Sequence, residues 1–218
     1  MFAPSATTRI RWVLEYCALS PGSDPGTSHH WGQTLERLIT GVRPRLHRET
    51  SRESDPDYNS SVTDREILRH TVATLAYRAG KAVRHAPPDF AAFAVAPGSR
   101  TPGQILAHMG DLFEWALSMA KGTQTWRDST PLQWDQEVAR FFAALGAFDA
   151  YLGSDEPLGL PIERLFQGPV ADALTHTGQL TMLRRLAGSP VKAENYAKAT
   201  ISAGTVGMSQ AAPRAEFD

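Results

Sequence analysis

One cysteine in the whole chain, Cys17, excludes an intramolecular disulfide framework and any cysteine-rich zinc site. No apolar run approaches the ~20 residues that a membrane-crossing helix needs. The N-terminus lacks the ordered charged region, apolar core and small-residue cleavage site of a secretory signal. A cytoplasmic location with no membrane partner is therefore the expectation. The formal net charge of -1 supplies no general positive field to gather nucleic acid, so no nucleic-acid partner is expected either. No glycine-rich phosphate loop, Ser-His-Asp order or thiol centre stands out, and no internal repeat is visible.

The remaining composition is that of a globular protein: 42% hydrophobic and 21% charged residues are enough to core one domain. Arginine far outnumbers lysine, as in proteins from GC-rich bacterial genomes. Three parts are expected: an irregular extension over residues 1–61, a helical domain over 62–203 and a tail without regular structure over 204–218. Proline and glycine punctuate the extension heavily. Within it, Trp31, Leu35, Leu38, Ile39, Val42 and Leu46 recur at helical spacing among arginines, enough for a short basic amphipathic helix. Val62 stands directly before a capped helix and is a candidate translation start, because an internal GTG codon is read as valine. Host-derived peptides from before Ser61 would overturn that expectation.

Four helices account for the central domain. The first is expected over 64–85, with Thr63 and Glu66 as a capping box and Pro87-Pro88 as its stop. Its apolar face runs through Ile67, Leu68, Val72, Leu75, Ala79 and Val83. The second opens with Thr101-Pro102 and stops at Gly122. A third is expected from Thr130-Pro131 to about Leu152, burying Trp134, Val138, Phe141, Phe142, Leu145 and Phe148. The fourth ends near Leu186 and is interrupted around Gly168-Pro169. With no alternating strand pattern, an all-α four-helix bundle with a poorly structured N-terminal extension is the simplest architecture.

Three ionisable residues occupy helical stripes that are otherwise apolar. His108 lies in line with Ile105, Leu112 and Trp115. Asp172 and His176, four residues apart, lie in line with Leu165, Leu180 and Leu183. An i, i+4 pair has its Cβ atoms about 5–6 Å apart, so both side chains can converge on one ion, with a third ligand from a facing helix. Burying these groups unpaired would cost several kcal/mol each. A divalent cation removes that cost, and so does a hydrogen-bonded network. Gln179 is placed either to support His176 or to face water, and Arg184 and Arg185 suit a solvated helix end. His70 is the one further histidine that the spacing allows into the bundle interior. Asp111, one turn beyond His108, is the nearest candidate proton carrier, although a solvated carboxylate is the simpler reading.

The stretches TPGQILAHMGDLFEWAL (residues 101–117) and DALTHTGQLTMLRRLAGSPV (residues 172–191) resemble the DinB-like, damage-inducible, metal-binding four-helix-bundle superfamily. The resemblance covers about residues 62–203. It implies His108 as a ligand from the second helix and His176, in HTGQ, as the second of two ligands on the fourth. The first of those two is usually histidine; here it is Asp172, which leaves the metal open among zinc, nickel, iron and manganese. Members of the superfamily include S-transferases and isomerases that use a low-molecular-weight thiol. The resemblance thus implies a metal-dependent enzyme that activates a thiol or water, of transferase or hydrolase type. The alternative is a non-enzymatic, stress-associated metal-binding or structural bundle, as a monomer or a homodimer.

Overall fold

The computed structural model describes residues 62–217. Residues 1–61 lie outside the described residues, and with them Cys17, His29, His30, His47, the expected amphipathic stretch and the expected extension.

The described chain forms the expected all-α bundle. Helix α1 spans Asp64–Val83, α2 Pro102–Ala120 and α3 Trp134–Leu152. The fourth arm consists of a short α4 (Ile162–Leu165), one π-helical turn (Phe166–Val170) and α5 (Ala171–Leu186). Both expected N-terminal signals act locally. Thr63 and Glu66 bond reciprocally at the start of α1, and Thr101 and Gln104 do the same at α2, where proline stands in the first turn. Lys121 ends α2, and Gly122 follows with φ +82°, a left-handed conformation that suits glycine.

The third helix starts later than Thr130-Pro131. Glu137, fully buried in the first turn of α3, accepts the backbone N–H of Leu132 at 2.9 Å. That bond holds residues 130–133 outside the helix, so the proline leads a loop and Trp134 is the first helical residue.

The expected interruption at Gly168-Pro169 falls on the π turn. Proline has no N–H to give to the carbonyl four residues back, and a wider turn accommodates that loss without ending the arm. Asp172 therefore sits in the first turn of α5, directly after an irregularity.

The core joins all four arms. Phe113 packs edge-on against Phe141 and also touches Phe148, and Leu75, Leu106, Leu145, Leu165 and Leu180 are fully buried around them. The apolar face expected of α3 is the one that is buried. On α1 the expected face is slightly misplaced: Ile67 is 58% exposed, while Tyr77 is fully buried.

The tail expected to lack regular structure over 204–218 contains one short strand, and its partner lies at the end of the domain expected to be helical. Strand β1 (Ala193–Glu194) pairs antiparallel with β2 (Glu216–Phe217), so the end of the chain folds back onto the bundle. The cause is electrostatic. Lys81 of α1 is buried and donates to Glu194 at 2.8 Å and to Glu216 at 2.7 Å, while Tyr77 donates to Glu194 at 2.9 Å. A buried ammonium needs carboxylate partners, and the chain end brings both of them. Strands of two residues are too short to leave an alternating pattern in the sequence.

Candidate metal centre

His108 comes from the second turn of α2, held between the buried Ile105 and Leu112. Asp172 and His176 come from successive turns of α5. The bundle brings the three together: one ligand-type atom from each lies within 4.8 Å of the others. Nε2 of His108 stands 3.4 Å from Oδ2 of Asp172, and Nε2 of His176 stands 3.4 Å from Oδ1 of the same carboxylate. The two imidazole rings meet edge to face at 4.9 Å.

These spacings bear on two chemistries. A charge-assisted N–H···O bond runs about 2.7–2.9 Å, so 3.4 Å is long for a network closed by protons alone. Donors on one tetrahedral ion, with bonds of about 2.0–2.1 Å, stand roughly 3.3–3.4 Å apart. The two His–Asp separations, each to a different oxygen of the carboxylate, are close to that figure. The donor set, two imidazoles and one carboxylate, suits zinc, iron, nickel or manganese. Burial is graded: the side chain of His176 is 11% exposed, that of His108 20%, and that of Asp172 46%. The cluster is thus rooted in the core and open on the carboxylate side.

The His176 ring is oriented from behind. Its Nδ1 lies 2.8 Å from Oε1 of Gln179, one turn further along α5. With Nδ1–H donating to that oxygen, Nε2 presents a lone pair to the space between the three side chains, the arrangement that metal-binding histidines use. Burial pushes the His176 pKa below its ordinary 6.5, opposed by the Gln179 bond and the Asp172 charge, which favours the neutral form that ligation needs. The hydrogen bond with His108 holds the Asp172 carboxyl below its ordinary 3.8, against the opposing effect of burial.

Several neighbours were not legible as site residues. Trp126, in the loop after α2, packs edge-on against the His108 ring at 5.7 Å and against Trp115 at 5.7 Å. Arg100, just before the Thr101 cap, is close enough for its charge to lower both Asp172 and His176. The isolated tryptophan in an otherwise polar loop was the only sequence signal for the first. Arg100 had none.

Three assignments from the sequence change. Asp111 is neither a solvated carboxylate nor a free base. It is fully buried, accepts from Arg140 at 2.8 Å and from the backbone N–H of Ser129 at 2.8 Å, and so moors the Trp126 loop. Arg140 completes that mooring by donating to Glu137 and to the Ala107 carbonyl. Arg184 is buried rather than solvated, and donates to the carbonyls of Ala82, Arg84 and His85 that close α1. His70 is exposed and takes no part in the cluster.

Two clefts flank this region. One of about 380 Å³ lies between α2 and the fourth arm, lined by Trp115, Met119, Leu160 and Arg164, and reaches none of the three ligand-type residues. The other, about 340 Å³, includes His108. No helix among the described residues is long and apolar enough to cross a membrane. No family model, no curated protein and no solved structure matches the chain.

Proposed function

We propose that this chain is a DinB-like protein that binds one divalent metal ion through His108, Asp172 and His176, and that it is a metal-dependent enzyme. The observation that carries the reading is the pair of 3.4 Å separations between Asp172 and the two imidazole nitrogens. The resemblance of residues 101–117 and 172–191 to that superfamily supports it.

When bound, a zinc, nickel, iron or manganese ion supplies Lewis acidity, which lowers the pKa of a thiol or water placed beside it. The chain's own residues do the rest. His108 and His176 offer imidazole nitrogens, Asp172 brings one negative charge, and Gln179 fixes the His176 tautomer. The half-exposed carboxylate leaves one side of the cluster open to a small molecule, either a low-molecular-weight thiol with its electrophile or a hydrolysable group. Trp126 shields His108. With Asp111 committed to Arg140 and Ser129, it does not serve as a base, and the proton released by the thiol or water passes to solvent on the open side of the cluster. A cytoplasmic protein without nucleic-acid or membrane partners fits this role.

One observation favours a second reading, a metal-binding or structural bundle without turnover, as a monomer or homodimer. Among the described residues no buried side-chain nitrogen or oxygen lacks a hydrogen-bond partner, so the cluster has no orphaned atom that demands an ion.

Turnover separates the two. Metal-loaded protein is assayed for thiol transfer to small electrophiles and for ester or amide hydrolysis, alongside Asp172→Asn. Activity that Asp172→Asn abolishes is the expected result. Tightly bound metal with no turnover in either assay favours the structural bundle.

A further inference from the structure

Three backbone irregularities meet at the cleft of about 380 Å³ between α2 and the fourth arm. Gln124, in its lining, has φ +50°, a left-handed conformation that is costly for a residue with a side chain. Ser118 holds the backbone on both sides of it. The Ser118 carbonyl accepts from the N–H of Thr123 at 2.9 Å, and its Oγ accepts from that of Thr125 at 2.9 Å. Gly159 donates to the Ala120 carbonyl at 2.7 Å and lies so close to Gly122 that no side chain would fit. That contact sets Leu160 in the same lining. The π turn contributes Gln167 and Gly168. With glycine at 168, no side chain stands over the indole edge of Trp115, which a Cβ there would meet at 3.8 Å. Strained residues and π turns concentrate at ligand sites.

The chemistry of the lining is unequal. Trp115, Met119 and Leu160 offer apolar surface, and Gln124 and Gln167 offer neutral amides. Arg164 is the one charged residue in the lining, which contains no carboxylate. Among the described residues Arg164 enters no ion pair. The volume falls in the range of small-molecule sites.

We propose that this cleft binds a small aromatic acid, with its ring against Trp115, Met119 and Leu160 and its carboxylate on Arg164. An indole wall favours a flat ring, through stacked or edge-to-face contact. The guanidinium fork takes a carboxylate in two parallel hydrogen bonds, which selects the acid over its neutral amide. The site reaches none of His108, Asp172 and His176 and needs no ion there.

The test titrates the full chain by calorimetry with 2-naphthoate and with the neutral 2-naphthamide. Wild type binds the acid at least about tenfold more tightly than the amide. Arg164→Gln weakens the acid about tenfold and leaves the amide unchanged. Arg164 is exposed, so the variant keeps the fold. Nuclear Overhauser contacts from the naphthyl protons reach the Trp115 indole. Equal affinity for acid and amide overturns the proposal, as does no binding of the acid at millimolar concentration. Contacts to other residues in place of Trp115 overturn it too. So does an Arg164→Gln variant that binds the acid as wild type does, the result expected if an ion at the His108 cluster held the carboxylate.

Discussion

Nε2 of His108 and Oδ2 of Asp172 stand 3.4 Å apart across the bundle, although 64 residues separate them in the chain. Neither residue makes a site alone. The relationship exists because α2 and α5 pack with those two turns opposed, and His176 joins from the next turn of α5.

Gln179 is the support whose removal is most informative, because it touches His176 and none of the other ligand-type residues. Replacing Gln179 by Ala frees the ring and its tautomer. Loss of such a partner costs about 10–100-fold in metal affinity. Chelator competition on Gln179→Ala is expected to show a loss in that range with the fold intact by circular dichroism. Unchanged affinity would mean that core packing alone orients the ring.

Acid is expected to release the metal. The folded His176 pKa lies below 6.5 because burial disfavours the charged form. Its contribution to stability is therefore fully present above pH 6.5 and lost as pH falls through the folded value. Protons compete with the ion over that same lower range. Zinc affinity measured from pH 7.5 down to 5 should hold near neutrality and then fall, and a pH-independent affinity would contradict neutral imidazole ligation.

The Arg140 mooring is a stability element rather than a catalytic one. Asp111 and Glu137 are fully buried, and removing their shared cation strands two carboxylates. Arg140→Ala is expected to cost about 3–5 kcal/mol in urea unfolding. Gly110→Ala tests the same point from the opposite helix, since a Cβ there would come within 2.8 Å of the Arg140 guanidinium. Both variants should also change the fluorescence of Trp126, whose loop hangs from Asp111 through Ser129.

The chain end is held by a pH-sensitive contact. Burial works to raise the Glu194 carboxyl, but the hydrogen bonds from Lys81 and Tyr77 outweigh it and keep the carboxyl below its ordinary 4.5. A carboxylate depressed on folding contributes stability above its unfolded pKa and loses it as pH falls through the folded value. Hydrogen exchange at Ala193 and Glu194 should therefore accelerate below about pH 4.5, and Glu194→Gln should show faster exchange already at neutral pH. The Tyr77 hydroxyl, pushed up to about 12 by burial and by Glu194, should stay protonated through that range.

Much of this was legible in sequence because the signals are local. The caps Thr63 and Thr101 set helix starts, and the phenylalanines of α3 marked its buried face. His108, Asp172 and His176 stood out as ionisable groups in apolar stripes; the bundle packs His176 inward and leaves Asp172 half-exposed. What stayed hidden depends on distant partners. Asp111 and Arg184 looked like surface charges because their partners, Arg140 and the carbonyls at the end of α1, lie 29 and about 100 residues away. The late start of α3 depends on one side chain, Glu137, reaching back to Leu132. The docking of the chain end depends on Lys81, whose burial no local pattern announces.

The most direct test of the metal centre is elemental mass spectrometry on wild type and His176→Ala, purified without chelator or affinity-tag metal. Near-stoichiometric zinc, nickel, iron or manganese is expected in wild type, and its loss in the variant. Wild-type protein that is metal-free and refuses all four ions would contradict it, leaving His108, Asp172 and His176 as a polar junction between helices.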